Sequence, residues 1–257
     1  MILHKKAGFT LHTWQTLDHL GVQAGTVSGM NTALHAPEGV NRKKILKNRA
    51  LLAEELGRTA DQWIYADQVH GNRSFVAGPD HRGLGALDRT TAIPATDAII
   101  LGHPGLQAMI FTADCLPLIL FDTEKKYAAL IHAGWRGIAG GIVPQVLERM
   151  CSELYSHVEN IRAVAGPAID SCCYQIDSPV YDALTGSYPE TLNAFKKDGK
   201  NHWRLSLEKA VFHQLIAKGI KETQMEGSNL CSCCQTDLYS WRREGAGCGR
   251  MASYICT

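Results

Sequence analysis

Three side chains able to ligate a borderline or soft metal stand at breaks beside apolar runs. They are His70 in D-Q-V-H-G, Cys115 in T-A-D-C-L-P, and His132 in H-A-G-W-R-G. Two imidazoles and one thiolate suffice as protein ligands of a catalytic zinc ion, which keeps a fourth position for water or substrate. An ion held in this way lowers the pKa of a bound water toward about 7 and polarises a neighbouring oxygen. The spacing matches no local zinc motif, so two other readings stay open on the residues alone. Each His can be a hydrogen-bonded structural residue with Cys115 a small buried hydrophobe, or Cys115 and a His can form a nucleophile–base pair without metal. The small residues Ala133, Gly134 and Gly137 around Arg136 let another group approach the backbone closely, which core packing alone does not require.

Asp114 precedes the thiol and Arg136 follows the second His. Asp114 either orients a ligand His or carries protons as an acid/base. Arg136 offers a planar fork to an anionic oxygen, phosphate included; alternatively the two residues pair with each other as a structural ion pair. Gln68, two residues before His70, shares its strand face and either hydrogen-bonds a heterocycle or caps a strand edge. The C-terminal run 231–250 holds Cys231, Cys233, Cys234, Cys248, Arg242, Arg243 and Arg250. Cys231 and Cys234 have C-x-x-C spacing, compatible with a structural metal or a redox pair, although zinc ribbons carry two such pairs. Unpaired buried thiols are the plainer reading. The arginines among glycines suggest an anion-binding rim, against the commoner case of solvated surface. His157-Val158-Glu159 ahead of these thiols superficially matches the H-x-E…P-C-x-x-C layout of zinc nucleobase deaminases, but Leu230 stands where the proline belongs.

Short buried strands must position these residues. Apolar runs at Ala98–Leu101, Ala108–Phe111, Leu116–Phe121, Ala128–Ile131 and Ile161–Ala165 have strand length, and Trp63–Val69 reads as a strand ending at His70-Gly71. Residues 41–57 read as an amphipathic helix capped by Asn41 and ended by Gly57, and 206–218 as another with Ser206 as cap and Gly219 as stop. A further helix follows Gly137, with Ile142, Val146 and Met150 in phase and Pro144 near its first turn. Residues 78–95, rich in Gly, Pro, Asp and Arg, read as a surface loop or a lid. Strands and helices intermix, which predicts an α/β or α+β class with mixed sheets, folded as a single domain over residues 1–257.

Composition narrows the function classes. The formal net charge is +1, so there is neither a nucleic-acid-wide basic face nor an acidic tail. Hydrophobic residues make up 45%, ordinary for a globular protein. No apolar run approaches the ~18 residues that a membrane span needs. Nine cysteines without an export signal predict reduced thiols in a cytoplasmic setting.

The motifs D-Q-V-H-G, T-D-A-I-I (96–100), T-A-D-C-L-P, H-A-G-W-R-G, G-P-A-I (166–169) with Cys173-Tyr174, and R-R-E-G…G-R occur in one order. Together they resemble the multicopper polyphenol oxidoreductase (laccase-domain) family, members of which are now regarded as purine nucleoside phosphorylases. The resemblance covers nearly the whole chain from about residue 20, and the pairing of D-C-L-P with H-A-G-W-R-G is highly specific. It implies an α/β sandwich related in fold to a deamidating bacterial toxin. It also implies a zinc ion on His70, Cys115 and His132, with copper as the older attribution. The implied activity is phosphorolysis of adenosine, inosine, guanosine and methylthioadenosine, with adenosine deamination alongside. The sequence departs from the family where Q-A-G-T-V-S-G-M-N keeps Asn31 but lacks an arginine, where Gln175 replaces a glutamate, and at Glu244 and Cys248.

The expectation is therefore a zinc enzyme acting on purine nucleosides and phosphate, as a monomer or homodimer, with no nucleic-acid or membrane partner. Asp114, Cys115 and Arg136 are the catalytic candidates. Asn31, Gln68, Arg243 and Arg250 are the substrate-binding candidates. One rival is a copper-dependent phenol oxidase, which needs many imidazoles, commonly in H-x-H pairs; the chain has eleven His and no such pair. The other is a metal-buffering protein using the C-terminal thiols.

Overall fold

The computed structural model describes residues 1–34 and 41–257. Its strands are β1 (Ile2–Lys6), β2 (Phe9–Thr13), β3 (Gln23–Ser28), β4 (Ile64–Tyr65), β5 (Ser74–Ala77), β6 (Ala98–Leu101), β7 (Gln107–Thr112) and β8 (Leu116–Asp122). They continue with β9 (Ala128–Ala133), β10 (Ile161–Ala165), β11 (Gln175–Asp177), β12 (Phe195–Lys197), β13 (His202–Leu205), β14 (Met225–Glu226) and β15 (Met251–Cys256). The α-helices are α1 (Gln15–His19), α2 (Arg42–Glu55), α3 (Trp135–Ala139), α4 (Ile142–Leu154), α5 (Ser178–Ser187), α6 (Leu207–Ala217) and α7 (Trp241–Glu244).

Two six-stranded mixed sheets stack face to face, ordered β1-β2-β3-β15-β7-β4 and β14-β10-β8-β9-β6-β5. Side chains from both fill the space between them, among them Ile64, Ile99, Ile110, Ile119, Leu130 and Ile255. Because successive strand residues point to opposite faces, Ile100, Leu118 and Ile131 look outward, where Val143, Val146, Ala210 and Val211 of α4 and α6 cover them. The outer face of the other sheet buries Val27, Met109 and Tyr254 against Leu52 of α2. Helix–sheet–sheet–helix layering covers the central strands on both faces, which is why they read as unbroken apolar runs rather than alternating ones. This is the mixed α/β sandwich that the sequence predicts.

Helix ends follow local chemistry. Asn41 accepts from the Lys43 N–H and caps α2, and Ser206 accepts from the Lys209 N–H and caps α6. The predicted helix after Gly137 is split instead into α3 and α4, with Gly141 in the left-handed region at φ 78° between them and Pro144 in the first turn of α4. The predicted strand over Trp63–Val69 shrinks to Ile64–Tyr65, because beyond Ala66 the chain turns away and its N–H groups are taken elsewhere. The segment 78–95 lacks strands and long helices, as expected. It does not hang free as a lid, since Ala86 and Ile93 are buried and Ile93 exchanges backbone hydrogen bonds with Tyr65 and Asp67.

Candidate metal centre and active site

Two of the segments that pass from one sheet to the other converge at one edge of the sandwich. Residues 66–73 lead from β4 into β5, and residues 113–115 lead from β7 into β8. Each crossing contains a non-glycine residue with positive φ, His70 at 60° and Asp114 at 89°. Such conformations are uncommon outside glycine and cluster at sites where function holds them. The third segment is the end of β9, which delivers His132.

His70, Cys115 and His132 are brought together: their potential ligand atoms all lie within 4.8 Å of one another. The imidazole rings meet edge to face at 75°, centroids 4.8 Å apart. Glycine makes this convergence possible. A Cβ on Gly134 would stand 2.9 Å from Cys115 Sγ, and one on Gly137 would stand 2.7 Å from the Gly71 carbonyl oxygen. The H-A-G-W-R-G motif is thus a surface against which both crossings are pressed.

A carboxylate to which sequence reasoning gave no role organises the cluster. Asp97, fully buried just ahead of β6, accepts from His132 Nδ1 at 2.8 Å. The same carboxylate accepts from the backbone N–H groups of Val69, His70 and Gly71, at 3.2, 2.9 and 2.7 Å. It therefore fixes the turn that carries one imidazole and the ring orientation of the other. An ionised carboxylate can only accept, so Nδ1 carries the proton and Nε2 is left as the donor atom. Burial alone would raise the Asp97 carboxyl; the His132 ring and the Gly71 and Val69 N–H groups hold it below its ordinary value. Burial likewise opposes charge on Cys115 and His132, but each favours the ionised form of the other. Cys115 is lowered to about 6 by His132 and His70, and His132 is raised to about 9 by Cys115 and Asp97. A thiolate and two oriented imidazoles, with room left on one side, are a donor set that fits zinc or copper.

The Asp114 carboxylate does not orient either His. Its Oδ1 accepts from the Ser232 hydroxyl at 2.6 Å and its Oδ2 from the Arg242 N–H at 2.7 Å. No pairing with Arg136 occurs; the Arg136 guanidinium instead lies 4.5 Å above the Trp135 ring. Among the described residues Arg136 is the arginine of the pocket whose guanidinium makes no hydrogen bond, while Arg242 and Arg250 each donate to backbone carbonyls. The donors open on a cleft of about 540 Å³, walled by Phe111, Trp135, Tyr174 and Trp241 and rimmed by Arg136, Arg242 and Arg250. Gln68 borders it, but its amide is committed on both sides to the Phe111 backbone, at 2.8 Å to the carbonyl and 2.8 Å from the N–H. Arg250 also borders it, while donating to the Cys248 and Gly249 carbonyls at 2.7 and 2.9 Å.

Two expected binding residues are not brought to this cleft. Arg243 spends its guanidinium on the carbonyls of Ser232, Cys233 and Gln235, about one turn of chain, and on Leu238 and Glu244. It lines another groove, and its role in this structure is to close the 232–238 turn. Asn31 lies beside α2 in a third groove and accepts from the Ala33 N–H at 3.0 Å. Cys233 and Cys248 stand outside both thiol-bearing clusters found among the described residues. Asp97 was visible only as a member of T-D-A-I-I. A lone acid immediately before a fully apolar strand was the available signal.

A mixed α/β sandwich with two His and a Cys gathered at a sheet-crossing edge defines the class of protein. The chain belongs to the family described as multi-copper polyphenol oxidoreductase laccase, whose model matches residues 12–257. It is 32% identical over 242 residues to purine nucleoside phosphorylase YlmD of Geobacillus stearothermophilus, covering 93% of this chain and 88% of the relative. It is 30% identical over 248 residues to adenosine deaminase RL5 of an unknown prokaryotic organism, covering 91% and 94%. The crystal structure of Bacillus licheniformis YfiH superposes with a TM-score of 0.91 at 30% identity, covering 99% of this chain and 98% of that one. Among the described residues no helix is long and apolar enough to cross a membrane.

Proposed function

We propose that this protein is an enzyme of purine nucleosides, cleaving them by phosphorolysis and deaminating adenosine at the same site, with Zn²⁺ on His70, Cys115 and His132. The observation that carries the reading is the convergence of these three donors, within 4.8 Å, on a cleft of about 540 Å³ that is aromatic on its walls and basic on its rim. That volume is typical of small-molecule sites, and the names of the relatives support a nucleoside as occupant. A zinc ion in this donor set supplies Lewis-acid polarisation of an oxygen, with copper as the alternative metal.

The chain's own residues supply the rest. Arg136 offers its free fork to phosphate, and Tyr174 and Trp241 give the base flat apolar surfaces. In phosphorolysis a phosphate oxygen bonds to the ribose anomeric carbon as the bond to the purine nitrogen breaks. The electron pair leaves with the base, which takes up a proton. In deamination water adds at C6 and ammonia departs. In this reading Asp114, held by Ser232 and the Arg242 backbone, carries the proton, since a carboxylate oxygen retains a second lone pair after one hydrogen bond. Cys115 acts here as a ligand rather than as a nucleophile.

The test is a nucleoside panel on protein purified without added metal, with and without phosphate. Phosphate-dependent release of free base and ribose 1-phosphate, abolished in Cys115→Ala together with the zinc of this centre, is expected. Full retention of activity in Cys115→Ala overturns the metal-centred reading. The phenol oxidase reading is less well served by the donors, because the two clusters found among the described residues comprise one with two imidazoles and one with cysteines only. Oxygen uptake with a phenol under the same conditions checks it.

A further inference from the structure

Four thiols outside the site just described meet at one point. Cys172 and Cys173 lie on the turn after β10, and Cys231 and Cys234 on the turn ahead of α7; the four Sγ atoms lie within 4.8 Å of one another. Cys234 Sγ stands 3.5 Å from Cys172 Sγ and 3.4 Å from Cys173 Sγ. Four sulfurs held at about 2.3 Å from a zinc ion would stand about 3.8 Å apart, so the cluster needs only small side-chain adjustments to close around one. The closest pairs are well beyond the ~2.05 Å of a disulfide.

The two turns are built to present sulfur. The Asp170 carbonyl accepts from the N–H groups of Cys173 and Tyr174, both at 2.8 Å, and the Cys231 carbonyl from those of Cys234 and Gln235 at 3.2 and 3.1 Å. A parallel bridge between Ala168 and Cys231 holds the turns side by side. Cys172 and Cys234 are exposed, which leaves an entry path from solvent.

We propose that Cys172, Cys173, Cys231 and Cys234 form a second, structural zinc site, closed by four thiolates and separate from the His70–Cys115–His132 centre. On binding, the four thiols release their protons to solvent and each sulfur donates a lone pair to the cation. A closed sulfur shell leaves no vacant position, so this ion is structural rather than catalytic. Its consequence reaches the cleft. Tyr174 follows Cys173 directly, Arg242 donates to the Cys173 carbonyl at 3.1 Å, and Ser232, within the C-x-x-C turn, holds Asp114. The ion staples the wall of the cleft from behind.

The test counts metal in the full chain. Wild-type protein is expected to carry one zinc more than Cys231→Ser, while Cys115→Ala keeps this zinc and loses only the other. Cobalt substitution should give intense tetrahedral d–d bands with strong sulfur-to-cobalt charge transfer, lost in Cys231→Ser and retained in Cys115→Ala. Where Cys231→Ser does not fold, alkylation of native wild-type protein decides. Protection of these four thiols by zinc, mapped by mass spectrometry, supports the site. Unchanged metal content in Cys231→Ser, alkylation unaffected by zinc, or a native mass lower by the hydrogens of a disulfide among these residues overturns it. Failure here leaves the proposed nucleoside chemistry standing, because that reading rests on Cys115.

Discussion

The Asp97 carboxylate accepts from His132 Nδ1 at 2.8 Å while taking the His70 backbone N–H at 2.9 Å, so one buried acid holds the ring of one imidazole and the turn that carries the other. Replacing Asp97 by Asn keeps the size but converts half of the acceptor to a donor. Losses of about 10- to 100-fold in metal affinity follow when such an orienting partner is removed. Competition against a chromophoric chelator should show zinc binding weakened by that factor in Asp97→Asn, and affinity equal to wild type would show that the carboxylate has no orienting role.

Gly134→Ala probes the close approach of H-A-G-W-R-G to the thiol. The new methyl would sit 2.9 Å from Cys115 Sγ, so the sulfur or the β9–α3 turn must shift. Overpacking of this kind costs about 1–3 kcal/mol. Thermal unfolding should therefore show a modest fall in Tm, with a larger proportional loss of metal binding. A variant with wild-type metal content would mean that the pocket yields elsewhere.

The metal-free protein has a distinct pH signature. Cys115, lowered to about 6, stabilises the fold as a thiolate above its unfolded value, and that contribution is lost as pH falls through the folded value. His132, raised to about 9, contributes below its unfolded value and loses that contribution as pH rises through the folded one. The pair is thus fully charged only between these limits. Iodoacetamide labelling of Cys115 in stripped protein should reach half its limiting rate near pH 6; a midpoint close to that of an ordinary thiol would contradict the pairing.

Arg136→Ala tests the phosphate assignment. A guanidinium whose donors are free and whose plane rests on Trp135 can be removed without orphaning a buried group. The KM for phosphate should rise about tenfold or more, as for a lost charged hydrogen bond worth roughly 1.5–3 kcal/mol, with little change for the nucleoside. Equal effects on both substrates would point to a general distortion.

Much of the architecture was legible because the central strands are covered on both faces and so carry few polar residues to confuse their reading. Asn41, Ser206, Gly57 and Gly219 marked helix ends through local hydrogen bonding and backbone freedom, which depend little on the rest of the fold. The donors His70, Cys115 and His132 were conspicuous as metal-competent side chains interrupting apolar runs. Asp97 was not, since its partners come from the Val69–Gly71 turn and from β9, and only the β6–β9 pairing brings them within reach. The same holds for Cys172 and Cys173, which acquire neighbours through the bridge between Ala168 and Cys231. Arg243 lies away from the cleft for the opposite reason: its donors are taken by the carbonyls of its own turn, a local fate that composition does not reveal.

Because His70 and Cys115 ride on two short passages between the sheets, neither of these passages can change length without shifting a strand in each layer. The hairpin joining β12 to β13, by contrast, projects into solvent with Gly199, Lys200 and Asn201 exposed. Lineages that lengthen or trim this chain are therefore expected to do so at that tip, while the number of residues between β7 and β8 stays frozen.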